Sequence, residues 1–210
     1  MKKLLLILFL VPNLCFAKIY WVSDLHVGSE KKKKTTETIY PRKSYNWFVS
    51  FLRHNVSSSD YVVVTGDITN KAKKKYFKQL KKLRKKYNII YVKGNHDKNF
   101  HKYFPVNQVV DTPDYRIITL YSGGSVEYGS LDESQLNFLR ANFTDNTVVA
   151  MHHPCYSKDF QFLDFCNPIL NLQPQMVLTG HYHSTFEREL NGIQFLTISS
   201  FAADRFYRSF

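Results

Sequence analysis

The sequence of 210 residues is long enough for one domain with a substantial core and too short for two domains of ordinary size. Hydrophobic residues make up 44% and charged residues 22%, which is typical of a globular protein. The formal net charge of +12 favours anionic partners such as phosphate esters, nucleic acid or acidic membranes, and it does not choose among them.

The N-terminal segment has the pattern of a signal peptide. Two lysines precede the apolar run Leu4–Val11, and small residues follow near Ala17. The run is far shorter than the roughly 20 apolar residues of a membrane-spanning helix, so no transmembrane domain is expected. We predict that residues 1–17 are a signal peptide and that residues 18–210 form a single exported domain, periplasmic or secreted. An uncleaved anchor or a buried first strand is the alternative.

Strand and helix patterns then alternate along the chain. Short runs rich in Val, Ile and Tyr predict six buried strands, and apolar residues at helical spacing predict three helices. The sequence Leu190-Asn191-Gly192-Ile193 predicts a β-hairpin with a two-residue turn. This order predicts an α/β fold with helices covering at least one sheet. The predicted elements are strand Lys18–Val22, helix Lys43–His54, strand Tyr61–Thr65, helix Ala72–Tyr87, strands Asn88–Val92 and Arg116–Tyr121, helix Glu133–Phe143, and strands Asn146–Met151 and Gln175–Thr179.

The second predicted helix belongs to a lysine-rich segment, residues 71–87. Its lysines fall mostly on the side opposite the apolar residues, which is typical of a solvated face. Contact of this segment with nucleic acid or an acidic membrane surface is the alternative.

Five of the predicted strands lead directly into residues of metal-binding type. Ligands of open α/β sheets sit outside the carboxyl ends of the strands, so these five ends are expected to converge. Carboxylates, imidazoles and an amide oxygen together favour divalent manganese, iron or zinc. Six of the eight histidines lie in these motifs, which argues against a random scatter. The motifs are Asp24-Leu25-His26, Gly66-Asp67, Gly94-Asn95-His96-Asp97, His152-His153-Pro154 and Gly180-His181-Tyr182-His183.

This ordered set of motifs resembles the calcineurin-like metallophosphoesterase superfamily, from Lys18 to about Leu196. The resemblance implies a two-sheet β-sandwich flanked by helices, and a hydrolase that cleaves phosphomonoester or phosphodiester bonds by a two-metal, metal-hydroxide mechanism. It implies that Asp67 bridges the two divalent ions. The implied ligands are Asp24, His26, Asp67 and His183 for one ion, and Asp67, Asn95, His152 and His181 for the other.

The same resemblance assigns roles to the remaining motif residues. His96 would face the substrate and protonate the leaving oxygen, and Asp97 would orient His96 or support the site from behind the ligands. His153 would line the substrate site or support a ligand. The alternatives that stay open are a nuclease of the same superfamily, which would use the lysine-rich segment, and a non-catalytic scaffold with this fold.

A narrower resemblance concerns the sequence from Gly129 to Leu139, which contains Leu131, Gln135 and Leu136 at characteristic spacing. Together with the His152-His153-Pro154 motif it resembles the branch that contains bacterial cyclic-nucleotide phosphodiesterases. The chain is shorter than members of that branch and carries the pattern of an exported protein.

Two cysteines remain after the predicted leader, Cys155 and Cys166. The sequence has no Cys-x-x-Cys pair, which excludes a zinc ribbon. In an oxidising compartment two cysteines this close are expected to form a disulfide. Two free, partly buried thiols are the alternative.

Overall fold

The computed structural model describes residues 17–34, 37–123 and 128–210. Apart from Ala17, the predicted signal peptide lies outside the described residues. Within the described ranges, no helix is long and apolar enough to cross a membrane. The strands are β1 (Ile19–Val22), β2 (Lys33–Lys34), β3 (Thr38–Ile39), β4 (Tyr61–Val64), β5 (Asn88–Tyr91), β6 (Gln108–Asp111), β7 (Arg116–Thr119), β8 (Thr147–Ala150), β9 (Met176–Thr179), β10 (Phe186–Leu190), β11 (Ile193–Thr197) and β12 (Arg208–Ser209); the helices are α1 (Pro41–Asn55), α2 (Lys74–Leu83), α3 (Glu133–Asn142), α4 (Asn167–Leu172) and α5 (Phe201–Asp204).

Two sheets form the centre of the molecule. The first has the strand order β12-β1-β4-β5, in which β1, β4 and β5 run parallel and β12 is antiparallel to β1. The second has the order β10-β11-β9-β8-β7-β6, in which β11, β9, β8 and β7 run parallel and both edge strands are antiparallel. Neighbouring parallel strands therefore bring their carboxyl ends to one edge of each sheet.

The two sheets pack face to face because alternate side chains of each strand point to opposite faces. Trp21 and Val63 of the first sheet lie in one buried cluster with Ile117, Val148 and Leu178 of the second. The neighbouring residues in the same strands point the other way, towards the helices. This arrangement explains why the strands read as continuous apolar runs: both of their faces are buried.

Helices cover the outer face of each sheet. Val62 and Val64 of β4 pack with Phe48 of α1 and with Phe77 and Leu80 of α2. On the other side, residues of β7, β8, β9 and β11 pack with α3 and α4. The molecule is thus a β-sandwich flanked by helices, which confirms the predicted fold class.

All six predicted strands, the three predicted helices and the hairpin are present. The hairpin pairs Leu190 with Ile193, and its two turn residues have φ angles of 53° and 80°, as in a type I′ turn. The lysine-rich helix is shorter than predicted, Lys74–Leu83 instead of Ala72–Tyr87. Its lysines are exposed, which both the solvated face and contact with an anionic partner require. The sequence patterns missed the short elements β2, β3, β6, β12, α4 and α5.

Candidate metal centre

The five motifs meet where the carboxyl ends of the two sheets adjoin. Backbone hydrogen bonds join the loops within each sheet: Asp24 N–H donates to Gly66 O at 3.1 Å, and Gly180 N–H donates to His152 O at 3.0 Å. A further bond joins the sheets, because His181 N–H donates to Asp24 Oδ2 at 2.9 Å. The predicted convergence of the motifs is therefore present in the fold.

One set of donor atoms, here called the first donor group, consists of Asp24, His26, His183 and Asp67. His183 Nε2 lies 3.3 Å from Asp24 Oδ1 and 3.1 Å from His26 Nε2. His26 Nε2 lies 3.6 Å from Asp24 Oδ1 and 3.8 Å from Asp67 Oδ2. Donor atoms of Asp24, His26 and His183 all lie within 4.8 Å of one another, as one ion would require, and Asp67 adjoins them through His26.

The second donor group consists of Asn95, His152, His181 and again Asp67. His152 Nε2 lies 3.0 Å from Asn95 Oδ1, 3.3 Å from His181 Nδ1 and 3.5 Å from Asp67 Oδ2. Asp67 Oδ2 is therefore common to both groups. Asp67 Oδ2 thus lies between His26 of the first group and His152 of the second.

The donors fit divalent metal ions. Two donors bound to one ion at about 2.1 Å lie about 3.0–3.5 Å apart, which is close to the distances in both groups. The Asp24 carboxylate is fully buried, and its Oδ1 accepts no hydrogen bond within the described part of the chain. A buried carboxylate oxygen is costly unless a charge compensates it, and a cation at this position would do so.

Five of the seven donor residues occupy a backbone region that non-glycine residues rarely adopt. Positive φ values of this kind cost roughly 1–3 kcal/mol each and concentrate at functional sites. They allow side chains from tight loops to turn towards one centre. The residues are Asp24 (φ 53°), His26 (43°), Asp67 (46°), His181 (70°) and His183 (56°).

Two glycines permit the close packing of these loops. A Cβ atom at Gly94 would lie 2.2 Å from Asp67 Oδ1, and one at Gly180 would lie 2.5 Å from Asp24 Oδ2. Any side chain at either position would displace a donor carboxylate. The glycines before Asn95 and His181 are therefore part of the site's geometry.

Hydrogen bonds orient the donors. His152 Nδ1 lies 2.8 Å from Thr65 O; since a carbonyl only accepts, Nδ1 donates there, and Nε2 is the nitrogen that faces the centre. Asp67 Oδ1 accepts from His96 N–H at 2.8 Å, which leaves Asp67 Oδ2 for the shared position.

His96 lies at the edge of the centre and is partly exposed. Its ring is 5.1 Å from that of His26, and one of its nitrogens lies within 4.8 Å of donor atoms of His26 and Asp67. Its Nδ1 is 2.9 Å from Asn70 O, so Nδ1 donates there. His96 thus lies beside donor atoms of both His26 and Asp67, with one ring nitrogen held by the main chain.

Asp97 does not orient His96 through a side-chain contact. Its buried carboxylate accepts from Ile68 N–H at 3.0 Å, from Thr69 N–H at 2.9 Å and from Gly94 N–H at 3.1 Å. It therefore joins the loop after Asp67 to the loop before Asn95. The ring of His96 is held by the Asn70 carbonyl.

The charges of the donors are strongly coupled. Burial opposes ionisation of Asp24, but the neighbouring His183 outweighs it, and the pKa of Asp24 lies well below its ordinary value. Burial also disfavours the charged form of His152, yet the Asp67 carboxylate raises the pKa of His152 to about 9. Burial, followed by the charge of Asp67, raises the pKa of Asp97 to about 7. The charge of Asp67 thus raises the pKa of both neighbours, and a cation beside Asp67 would compensate the same charge.

A family comparison agrees with this geometry. The family model described as calcineurin-like phosphoesterase matches residues 17–185, which include all five motifs. The chain belongs to the calcineurin-like phosphoesterase family. Family membership and the clustered donors support a metal-dependent phosphoesterase acting on phosphate esters.

Solved structures share the fold of this calcineurin-like phosphoesterase at low sequence identity. A dimetal phosphatase from Danio rerio is 14% identical, with a TM-score of 0.65 over 89% of this chain and 88% of that one. A phosphopantetheinyl hydrolase from Mycobacterium tuberculosis is 14% identical, with a TM-score of 0.54 over 88% and 90%. GAP50, an anchor in the inner membrane complex of Plasmodium, is 14% identical, with a TM-score of 0.56 over 87% and 71%. A comparison with curated protein sequences gave no match.

His153 of this phosphoesterase is buried beside the second donor group. Its ring is 4.4 Å from that of His181, and its Nδ1 is 3.0 Å from the Ser122 hydroxyl. Burial and the charges of His152 and His181 lower its pKa to about 3, so the ring is neutral. His153 packs behind the donor histidines, and Ser122 is a neighbour that no motif predicted.

Glu37 is a further residue that sequence reasoning missed. Its Oε1 lies 3.7 Å from His183 Nδ1, on the side of the ring away from Asp24. Burial lowers the pKa of His183, but the charge of Asp24 and, from the other side of the ring, that of Glu37 raise it above its ordinary value. Glu37 follows a polar stretch with no periodicity, so no local signal in the sequence connects it with His183.

The structure joins Cys155 and Cys166 by a disulfide, with the two Cα atoms 5.6 Å apart. The loop between them begins just after the His152-His153-Pro154 motif. Lys158 in this loop lies 5.4 Å from the ring centre of Tyr182, the residue between two donor histidines. The disulfide therefore closes a loop that contacts the Gly180–His183 motif.

Proposed function

We propose that this calcineurin-like phosphoesterase hydrolyses phosphomonoester or phosphodiester bonds with two divalent ions. The observation that carries the proposal is the pair of donor groups that share Asp67 Oδ2. When bound, the ions would lower the pKa of a water molecule, so that hydroxide forms near neutral pH, and neutralise charge on the phosphate oxygens. The mixed oxygen and nitrogen donors suit manganese, iron or zinc.

The protein's own groups would orient the reaction. His96 is the residue we assign to the leaving oxygen. Because its Nδ1 donates to Asn70 O, the ring can act as an acid only as the imidazolium, through Nε2. Asp97 keeps the loops of Asp67 and Asn95 in register while the chemistry takes place beside them. These roles need no covalent intermediate between enzyme and substrate.

A substrate panel with defined metals tests the proposal. Purified protein freed of metal by chelation is reloaded with manganese, iron or zinc and assayed with aryl phosphates, cyclic nucleotides, nucleic acid and phospholipid head groups. We expect turnover that disappears on chelation and returns on reloading. Cyclic nucleotides test the branch resemblance of the Gly129–Leu139 sequence, and nucleic acid tests the nuclease alternative. Absence of turnover with every ester and metal would contradict the proposal and favour a scaffold.

We also propose that the protein is exported and works in an oxidising compartment. The signal-peptide pattern of residues 1–17 and the Cys155–Cys166 disulfide support this proposal. Intact-mass analysis of protein from the native host is the test, and we expect a chain that begins near Lys18. Recovery of soluble chain that retains Met1 would contradict export.

A further inference from the structure

A cavity adjoins the face of the centre on which His96 lies. Its volume is about 430 Å³, which is within the range of small-ligand sites. His96 and the donor residue Asn95 form one side of it, so it lies next to the atoms that would meet the leaving oxygen. None of its other residues belongs to the five metal motifs. The cavity is lined by Asn70, Lys71, Ala72, Asn95, His96 and Lys98.

The cavity carries positive charge. Lys71 Nζ lies 2.7 Å from Glu30 Oε1, so the Glu30 carboxylate compensates the positive charge of Lys71. Hydrogen bonding from Lys71 lowers the pKa of Glu30 to about 2, which keeps that carboxylate ionised. Lys98 forms no ion pair with any carboxylate among the described residues and is exposed. Lys98 therefore supplies an uncompensated cation two residues after His96.

Asn70 connects the cavity with the catalytic histidine. Its main-chain carbonyl accepts from His96 Nδ1, and its side-chain Nδ2 donates to Glu30 Oε2 at 3.1 Å. The side chain is 2% exposed, and its Oδ1 has no hydrogen-bond partner within the described ranges. Asn70 therefore fixes the orientation of His96 at the wall of the cavity through its main-chain carbonyl.

We propose that this cavity, the leaving-group pocket, binds an anionic group such as a carboxylate or phosphate on the alcohol that leaves. The inference rests on the proposed function and names its substrate class. In the hydrolysis, the bond from phosphorus to the leaving oxygen breaks as a water oxygen bonds to phosphorus. The leaving oxygen takes the proton of His96, and the proton lost by water passes to solvent, from which His96 is reprotonated. Lys98 would hold the second negative charge of the same molecule throughout.

A matched pair of esters tests this assignment. The probes are 3-carboxyphenyl phosphate and 3-carbamoylphenyl phosphate, which have leaving groups of similar acidity and differ in charge. We expect kcat/KM to be about 10-fold higher for the carboxylate ester, the size of one charge-assisted contact. Lys98→Ala should bring the ratio close to 1. Lys85→Ala is the matched control, because it removes the same charge from an exposed lysine that does not line the cavity; it should keep the wild-type ratio.

Equal kcat/KM for the two esters in the wild type would overturn the assignment. So would an equal fall of the ratio in the Lys85→Ala and Lys98→Ala variants, which would show a long-range field rather than a pocket.

Binding of the product phenols to the metal-free protein separates this inference from the proposed function. We expect 3-hydroxybenzoate to bind more tightly than 3-hydroxybenzamide by ligand-observed NMR, and Lys98→Ala to remove the difference. That outcome supports the pocket even if neither ester is hydrolysed, a result that would count against the proposed function. Indistinguishable binding of the two phenols would count against the pocket even if both esters are hydrolysed.

Discussion

The two donor groups of the centre are held in different ways. In the second, His152 is oriented by a main-chain carbonyl at 2.8 Å, and His181 is the only member besides the shared Asp67 that has a positive φ. In the first, Asp24, His26 and His183 all have positive φ values, and His183 lies against the side chain of Glu37. His26 Nδ1 is buried without a hydrogen-bond partner in the described ranges. A main-chain carbonyl thus orients one donor of the second group, whereas the first group has more positive φ angles and a side-chain carboxylate beside one of its donors.

This difference indicates which of the two ion positions a single substitution would disturb more. No point mutation removes a main-chain carbonyl, so the orientation of His152 does not depend on another side chain. The first donor group depends on a carboxylate that a single substitution neutralises. We expect the two ions to differ in affinity, with the first released more easily.

The largest expected effect is the loss of both ions at once in Asp67→Asn. The bridging oxygen is the one atom that the two groups share, so removing its charge should weaken both positions and abolish detectable turnover. Elemental analysis after dialysis, together with turnover, measures the effect. Asp145→Asn, at an exposed position, is the control. A variant with two ions and native turnover would contradict the shared role of Asp67.

The next largest effect should be a loss of turnover that leaves both metal donor groups intact. His96→Ala should retain the metals and slow turnover by about 10²–10⁴-fold, the usual contribution of a general acid. The loss should shrink for esters with acidic leaving groups, because these need less protonation. A leaving-group series measures this, with the exposed His101→Ala as control. Losses of equal size across the series would argue against the acid role.

A smaller effect tests the difference between the two groups directly. Glu37→Gln keeps the shape of the side chain and removes the charge behind His183, so one ion should bind about 10- to 100-fold more weakly. Competition with a chelator, followed by metal analysis, measures the two affinities separately. Glu189→Gln, on the exposed face of β10, should change neither. Equal weakening of both ions would show that the two groups are not held independently.

The smallest effect on the centre should follow removal of the disulfide. Cys155→Ser with Cys166→Ser opens a loop with a sequence separation of 11 residues, which should lower the free energy of unfolding by roughly 3 kcal/mol. Because His152 is held by Thr65 O rather than by this loop, metal content should stay the same. Urea denaturation and metal analysis measure the two quantities. Two free thiols titrating in exported wild-type protein would contradict the disulfide.

Much of the fold could be predicted from the sequence because the segments with a strong local pattern of apolar residues are also the segments that become buried. Strands such as Tyr61–Val64 are buried on both faces and so appear as continuous apolar runs. The missed elements are short or lie at edges: β12 has two residues, and pairing with β1 defines it rather than any periodicity. The lysine-rich helix ends at Leu83, and the chain continues in turns from residue 84. The composition does not change at this point, so the sequence did not indicate the end of the helix.

The sequence by itself determined which residue types stand at the five strand ends, since parallel strands bring such ends to one edge and the order of the motifs identified the family. Only the tertiary structure decided what lies behind and beside the donors. Glu37 reaches His183, Asn70 holds His96, and Asp97 joins the loops of Asp67 and Asn95 through contacts between residues far apart in the chain. These contacts depend on loop paths and backbone angles, and neither follows from local periodicity because each is set by the packing of two sheets.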